Sequence, residues 1–292
     1  MNWSKAKTIL IIVFLIADIF LFYELYSGVI RSRNSIDDQK VQEVMDLLQS
    51  KGVFINCTIP KANGSKKPLS IKCKSIDTQF ALEKFFEDPQ KALIHNYDDK
   101  TVIEDEGIYV EINKMGELIY KNKLLMENQP EVVDEKIALS KIEEFYNIIG
   151  IKNNEIYDSK KNIEGNYLEM YCSQGYKNTF IDRTYIEVKA TNSGVAYMKI
   201  LWFEIEDNDK NKNNIIHPLR ALLELSELYE GYDGNIIINE ISLGYYFNTD
   251  MEEVKEFDMT EVKEGKAIPA WKISTSMGDI YINAYNGTVE KK

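Results

Sequence analysis

The order of hydrophobic and polar positions separates one long apolar segment near the start of the chain from a body of shorter patterns. Residues 8–23 are almost entirely apolar, with Asp18 as the charged exception. A helix of about 20 apolar residues rises about 30 Å, which matches the hydrocarbon thickness of a bilayer. Trp3 and Tyr26 flank the segment, where aromatic residues of membrane helices meet the lipid headgroups. The pattern therefore predicts a transmembrane anchor over residues 8–26.

This segment has the features of an uncleaved signal anchor. Its apolar core is longer than the roughly 7–15 residues of a cleaved signal peptide, and no small-residue cleavage site follows it. Because large domains are translocated largely regardless of their charge, we expect residues 1–7 to form a cytoplasmic tail. The rest of the chain is then an extracellular body that a single-pass helix holds at the cell membrane.

Asp18 falls on a heptad-spaced stripe of the predicted anchor. A carboxylate near the middle of a bilayer costs about 2.5–3.5 kcal/mol on insertion scales, so it needs a partner, a proton or a route to the headgroups. One interpretation is that Asp18 is buried against a neighbouring helix, and the other is a protonated side chain that leans toward the outer rim. The stripe that a neighbouring helix would contact consists of Ile11, Phe14, Asp18, Leu21 and Leu25.

The body that follows has the patterns of an α+β fold. Apolar positions with helical spacing predict helices over residues 36–51, 77–87, 134–149 and 218–229. Alternating positions predict strands over residues 53–59, 69–73, 107–112, 117–121, 167–173, 184–190, 196–204, 235–247, 267–275 and 279–284. In the C-terminal half a helix followed by an antiparallel meander occurs twice, so we expect each helix to lie across one face of a curved sheet.

A polar segment that contains a proline, residues 128–130, predicts a domain boundary. We expect a membrane-proximal α+β domain over residues 27–128 and a C-terminal domain of two helix-plus-meander units over residues 129–292. The formal net charge of the chain is −12. Such a surface should repel nucleic acid and anionic lipid headgroups, so a nucleic-acid partner is not expected.

Candidate catalytic and metal-ligating residues are few. The two histidines, His95 and His217, have neither a nucleophile motif nor metal-ligand spacing around them. His217 precedes a proline at a predicted helix start, which favours a capping or a surface role. Residues 207–211 resemble the start of a calcium loop, but the glycine and the final glutamate of that loop are missing, so we interpret them as a solvated loop. We expect a non-enzymatic protein with no cofactor and no small-molecule substrate.

Two of the three cysteines could form a disulfide bond. Cys57 and Cys73 lie on the predicted strands on either side of a turn-rich loop, and a loop centred on Ser65 would place them directly opposite each other in a hairpin. An extracellular location permits such a bond. The alternative is two buried thiols that pack as small hydrophobic side chains, and Cys172 is left over in either case.

The aromatic residues of the last predicted hairpin have two interpretations. Trp271, Tyr281 and Tyr285 could form a surface for a partner protein. Their alternation with isoleucines is typical of the interior of a strand, however, where large apolar side chains fill a core. We therefore favour core packing for this hairpin.

Two stretches of the chain are similar to a known family. The sequence Trp-Ser-Lys-Ala-Lys-Thr-Ile over residues 3–9, which runs straight into the apolar segment, resembles the opening of YycI. YycI proteins are membrane-anchored regulators of Gram-positive bacteria. Residues 267–273 and 278–287 are similar to the last hairpin of the YycH/YycI domain and of PepSY-type modules. The layout agrees over the full length, with one anchor followed by an α+β body of about this size.

The resemblance implies a regulator that is not an enzyme. YycI-like proteins act with the related YycH on the WalK sensor histidine kinase of the WalK/WalR two-component system, which controls cell-wall metabolism. They contact the kinase through transmembrane helices and outer domains, so the resemblance implies a WalK-like kinase and a YycH-like protein as partners. The alternative, from the similarity to PepSY modules, is a binding or inhibitor module that acts on an extracellular peptidase.

Overall fold

The computed structural model describes residues 18, 38–61, 64–74, 76–127, 132–207, 209, 211–229, 234–247 and 264–291. Of the predicted anchor, only Asp18 is among them, and it is helical with an exposed side chain. Across the described ranges, no helix combines the length and the apolar character needed to span a bilayer. The anchor over residues 8–26 therefore stays a prediction.

Five α-helices and eighteen strands are present in the part of the chain that the structure describes. The helices are α1 (Asp38–Ser50), α2 (Thr78–Phe85), α3 (Lys123–Glu127), α4 (Glu135–Ile149) and α5 (Pro218–Leu228). The strands are β1 (Val53–Ile55), β2 (Ser65–Lys66), β3 (Leu69–Cys73), β4 (Leu93–Asn96), β5 (Lys100–Glu104), β6 (Ile108–Asn113), β7 (Leu118–Asn122), β8 (Ile156–Glu164), β9 (Tyr167–Tyr176), β10 (Thr179–Ile181), β11 (Tyr185–Ala190), β12 (Val195–Leu201), β13 (Phe203–Glu206), β14 (Asn213–Asn214), β15 (Ile236–Phe247), β16 (Glu264–Thr275), β17 (Gly278–Asn283) and β18 (Val289–Lys291). The α+β fold predicted from the sequence is confirmed.

Eight antiparallel strands form the first sheet, in the order β8-β9-β11-β12-β7-β6-β5-β4. Helices α2 and α4 cover one face of this sheet, because their apolar sides and the inward side chains of the strands form one core. Phe85, Tyr120 and Phe145 meet there with ring centroids 4.8–5.4 Å apart. This core buries aromatic surface from both α2 and α4. It therefore joins strands β4 to β7, which follow α2, to strands β8, β9, β11 and β12, which follow α4.

The second sheet contains β13, β3, β16 and β15 in that order, with β17 and β18 continuing from β16. Helices α1 and α5 pack over it and share a core with buried side chains such as Leu48, Leu222 and Trp271. Strand β10 joins the two sheets, since it pairs in antiparallel with β9 and in parallel with β15. The first and last described segments of the chain therefore build the second sheet together.

Local signals in the sequence set the helix ends. The Asp77 carboxylate accepts the Phe80 N–H at 2.6 Å at the start of α2. The Asp134 carboxylate accepts two backbone N–H groups at the start of α4, which ends at Gly150 in the left-handed conformation. Side-chain caps of this kind satisfy backbone donors that a helix start leaves open, and glycine enters the left-handed region without strain.

Helix α5 begins with the predicted histidine cap. His217 Nδ1 accepts the Leu219 N–H at 3.1 Å, and Pro218 occupies the first helical position, where its missing N–H costs nothing. Burial lowers the pKa of His217, so the fold favours the neutral ring that accepts this hydrogen bond. The capping role of His217 is confirmed.

We expect the substitution His217→Asn to flatten the pH dependence of stability in mildly acidic solution. A histidine in an unfolded chain titrates near pH 6.5, and the folded protein takes up this proton only at lower pH. The stabilisation is therefore present above about pH 6.5 and is lost as the pH falls through the pKa of the folded state. Asparagine keeps the cap but not the titration. Thermal unfolding at about pH 7.5 and about pH 5.5 measures the effect.

A second variant separates the cap from the charge. The substitution His217→Ala removes both, so it should lower the melting temperature at both pH values. An unchanged pH difference in the His217→Asn variant would contradict the assignment.

The predicted hairpin between residues 53–59 and 69–73 is wrong. Strand β1 pairs in parallel with β15, so that Val53 lies opposite Ile236, and β3 lies between β13 and β16. Both strands pair with distant parts of the chain, and the local sequence pattern does not indicate which partner a strand will have. The structure also contains two parallel strand pairs, which the sequence did not predict.

Strand pairs also cross the predicted domain boundary at residues 128–130. Strand β7 pairs with β12 in the first sheet, and β3 pairs with β13 and β16 in the second. The segments on either side of the boundary therefore share both sheets. The long predicted strand over residues 196–204 is also divided, because Trp202 leaves the strand between β12 and β13 and turns into the first core.

Candidate interaction surface

The face of the first sheet that lies away from α2 and α4 is covered by neither of these two helices. Only the short α3 borders it among the described residues, since the Tyr167 hydroxyl donates to the Met126 carbonyl at 3.3 Å. We call this surface the open face. Strand register places its residues in two neighbouring rows that cross all eight strands. The first row is Lys160, Tyr171, Glu187, Lys199, Ile119, Glu111, Val102 and His95. The second row is Asn162, Glu169, Lys189, Tyr197, Lys121, Tyr109, Glu104 and Leu93.

Lysines and glutamates on neighbouring strands of the open face form ion pairs. Lys189 pairs with Glu169, and Lys100 Nζ lies 3.2 Å from a Glu111 oxygen. The Lys121 ammonium group lies 5.1 Å from the centre of the Tyr109 ring, within cation–π range. These contacts link charged side chains of neighbouring strands within the sheet itself.

Hydrogen bonds fix the protonation states on this face. The Tyr109 hydroxyl donates to Glu111 Oε2 at 2.5 Å. Burial and this carboxylate raise the pKa of Tyr109 to about 12. Burial acts to raise the pKa of Glu111, but hydrogen bonds from Tyr109 and Lys100 lower it overall. At neutral pH the face therefore presents neutral tyrosines and ionised carboxylates, a combination suited to protein contacts.

A polar cavity of about 390 Å³ lies where the two sheets meet. At its edge the Tyr281 hydroxyl donates to Asp182 Oδ1 at 2.5 Å, and Lys272 Nζ lies 3.0 Å from a carboxylate oxygen of Asp279. Burial and the nearby Asp182 charge raise the pKa of Tyr281, so this hydroxyl stays protonated and donates. The bond connects β17 to the turn after β10 and thus helps to hold the sheets together.

The last hairpin is formed by β16 and β17, as predicted, and its aromatic residues face inward. Trp271 is 1% exposed, and its indole N–H donates to the Ile216 carbonyl at 3.1 Å. The Tyr285 hydroxyl donates to the Lys66 carbonyl at 3.1 Å. The prediction of core packing for this hairpin is therefore confirmed, and its aromatic rings do not form the open face.

The remaining predicted residues lie apart from one another. Among the stripe residues Ile11, Phe14, Asp18, Leu21 and Leu25, all but Asp18 fall outside the described residues. All three cysteines are in the reduced thiol form, with Cys57 half-buried and Cys73 and Cys172 buried. Because β1 and β3 do not pair, the hairpin geometry that would have opposed Cys57 and Cys73 is not formed.

The sequence predicted that Asp207 lies in a solvated loop, but its side chain also makes specific contacts with three other residues. Its carboxylate accepts hydrogen bonds from Tyr176 and Lys177, and it forms an ion pair with Lys67. These hydrogen bonds from Lys67, Tyr176 and Lys177 lower the pKa of Asp207 well below its usual range. Asp207 thereby connects the β9–β10 turn to the chain before β3. Within the described ranges, no group of three or more His, Cys, Asp or Glu side chains is arranged to hold a metal ion.

Two sheets, each packed against two helices, and an open face of paired charges and tyrosines define the described part of this protein. A model of the YycI protein family matches residues 31–285, and the chain belongs to this family. YycI is a regulatory family connected with the WalK/WalR two-component system. No curated protein and no solved structure shows significant similarity to the chain.

Proposed function

We propose that this protein is a membrane-anchored extracellular regulator that modulates a WalK-type sensor histidine kinase. It contacts the kinase and a YycH-like partner through its transmembrane helix and its outer body. The observation that carries this proposal is the YycI family match, which covers nearly the whole body, residues 31–285. The opening sequence over residues 3–9 adds support, since it resembles the same family at the anchor.

The helix contact of this proposal centres on Asp18. A carboxylate at this depth costs about 2.5–3.5 kcal/mol unless it is paired, protonated or exposed to the headgroups. A polar residue on a heptad-spaced stripe is one means by which one transmembrane helix binds another. We therefore propose that the stripe of Ile11, Phe14, Asp18, Leu21 and Leu25 packs against a helix of the kinase.

The outer contact of this proposal is the open face. Tyrosines are enriched in protein interfaces because they bury a large area and offer a hydroxyl. Tyr171 is 48% exposed on the strand next to the β8 edge of this face, with Lys160 and Glu187 as its cross-strand neighbours. A face with charges of both signs also fits a protein partner better than a uniformly charged polymer such as nucleic acid.

We expect the substitution Asp18→Leu to weaken co-purification of the kinase with the full chain. Leucine removes the polar contact but keeps the helix apolar, so the amount of kinase recovered from solubilised membranes should fall about tenfold, which corresponds to about 1.4 kcal/mol. The measurement is a quantitative pull-down of the tagged full-length protein. The substitution Ile16→Leu, off the stripe, is the matched control and should change nothing.

The same pull-down tests the rival function. A PepSY-like inhibitor module would recover an extracellular hydrolase and no histidine kinase. The confirmed hairpin of β16 and β17 is the feature that this rival shares with the leading proposal. Equal recovery of the kinase with the wild-type chain and the Asp18→Leu variant would exclude the helix contact, and recovery of a hydrolase alone would exclude the kinase.

A further inference from the structure

Strand β4 is an edge of the first sheet with no covering element among the described residues. It pairs with β5 on one side only, and all four of its side chains are exposed. Leu93 is 60% exposed, and Tyr97, directly after the strand, is 57% exposed. An edge of this kind offers unpaired backbone groups to any other strand.

The opposite edge of the same sheet is protected. Strand β8 carries Asp158, Lys160, Lys161 and Glu164, and charged side chains along an edge discourage pairing with another strand. Strand β4 has the sequence Leu-Ile-His-Asn, with no lysine, arginine, aspartate or glutamate. The contrast between the two edges indicates that β4 is kept free for a partner.

The ladder with β5 shows which backbone groups of β4 point outward. The Tyr97 N–H donates to the Lys100 carbonyl at 2.8 Å, so Tyr97 faces β5 with its backbone. Residues alternate along an antiparallel strand, and His95 and Leu93 therefore also face β5. The N–H and C=O groups of Ile94 and Asn96 are left to point away from the sheet.

We propose that β4 pairs in antiparallel with β4 of a second copy of this chain, about a two-fold axis at His95. This pairing joins the two first sheets edge to edge and goes beyond the regulatory function proposed above, on which it does not depend. His95 then lies opposite His95 of the copy, and each Ile94 exchanges backbone hydrogen bonds with the Asn96 of the other chain.

Side-chain chemistry selects this register. With the axis at His95, Leu93 lies opposite Tyr97 of the copy, so the two most exposed apolar side chains of this edge cover each other. Lys91, just before the strand, comes close to Asp99 in the turn that follows β4 of the copy. Both contacts occur twice because the axis repeats them.

The neighbouring register is less complementary. An axis at Ile94 would place Leu93 opposite His95 and Lys91 opposite Tyr97, which loses the apolar pair and the opposite charges. A strand that complements itself in shape and charge is best matched by a second copy, because a two-fold axis brings the same patch to both sides. This is why a copy of the chain, rather than another extended peptide, is the occupant.

Cysteine cross-linking in the full chain, in membranes, tests the pairing and its register together. Only a residue on the axis lies opposite itself, with Cβ atoms about 4.5–5.5 Å apart, so His95→Cys should give a covalent dimer on mild oxidation. Asn96→Cys, one residue away, is the matched control and should stay monomeric. The two variants are read on the same non-reducing gel.

Other outcomes overturn the proposal. A cross-linked dimer from Ile94→Cys but not from His95→Cys would assign the other register, and a covalent product of His95→Cys with a different protein would assign another occupant. In the otherwise native chain, Asn96→Pro removes an outward N–H and leaves the backbone hydrogen bonds to β5 in place, while the Thr101 hydroxyl loses the Asn96 side-chain oxygen that it donates to at 3.1 Å. This variant should reduce the amount of dimer measured by sedimentation at least tenfold. An unchanged amount of dimer would contradict the pairing.

Discussion

Replacement of Trp271 by alanine is expected to lower the free energy of unfolding by about 3–5 kcal/mol. The indole is 1% exposed, and it packs between the second sheet and helices α1 and α5. The substitution leaves a large cavity, and it also removes the indole hydrogen bond to the Ile216 carbonyl, 3.1 Å long. Urea unfolding of the full chain, followed by far-ultraviolet circular dichroism, measures the loss.

Two further variants serve as controls for this measurement. Trp271→Phe keeps most of the apolar volume and should cost clearly less than alanine. Tyr171→Ala removes an exposed aromatic residue from the open face and should change stability by less than about 1 kcal/mol. If Trp271→Ala and Tyr171→Ala had the same small effect, the last hairpin would not be a core element and its aromatic residues would again be candidates for a partner surface.

Four of the five described helices could be predicted because their signals are local, whereas the five-residue α3, Lys123–Glu127, was missed. The helix predicted over residues 134–149 begins at Glu135 and ends at Ile149, next to the cap and the glycine that the sequence displays. The helix predicted from Pro218 begins there. Spacing, cap and stop residue all lie within a few positions of one another, so a short stretch of sequence contains the information that the prediction needs.

The strands were predicted less well because their environment is set from a distance. Strand β8, Ile156–Glu164, was missed because it lies at a sheet edge, where nearly every side chain is exposed and no alternation appears. Strand β1 was found, but its parallel partner β15 lies more than 180 residues further along the chain. A local pattern identifies a half-buried strand and gives no information about its neighbour.

In the candidate site, too, features set by neighbouring residues could be predicted and features set by distant residues could not. His217 could be assigned from its neighbours in the sequence, and the structure confirms its hydrogen bond to Leu219. The open face could not be assigned, because its rows of lysine, glutamate and tyrosine exist only once eight strands are in register. Gln174 gave no signal at all, since a single glutamine in a strand pattern is usually a solvent-facing residue.

The Gln174 side chain nevertheless connects the two sheets through hydrogen bonds, and the residue is 1% exposed. Its side-chain oxygen accepts the Phe203 N–H at 3.0 Å, and its side-chain NH₂ donates to the Phe203 carbonyl at 2.6 Å. The amide thus acts as a short piece of strand between β9 of the first sheet and β13 of the second. Both of its polar groups are matched, so its burial carries no penalty for unpaired donors or acceptors.

Replacement of Gln174 by leucine is therefore expected to lower the free energy of unfolding by about 2–6 kcal/mol, although the two side chains are similar in size. Leucine leaves both backbone groups of Phe203 without their side-chain partner at a buried position, at about 1–3 kcal/mol each. The exposed Gln90→Leu is the matched control, and it should change stability by less than about 0.5 kcal/mol.

Because the Gln174 amide joins two sheets that otherwise meet at few strands, its loss should also let the sheets unfold in separate steps. Circular dichroism and tryptophan fluorescence should then no longer give coincident urea transitions. A single transition at the wild-type urea midpoint would show that the Gln174 amide is not needed to hold the sheets together.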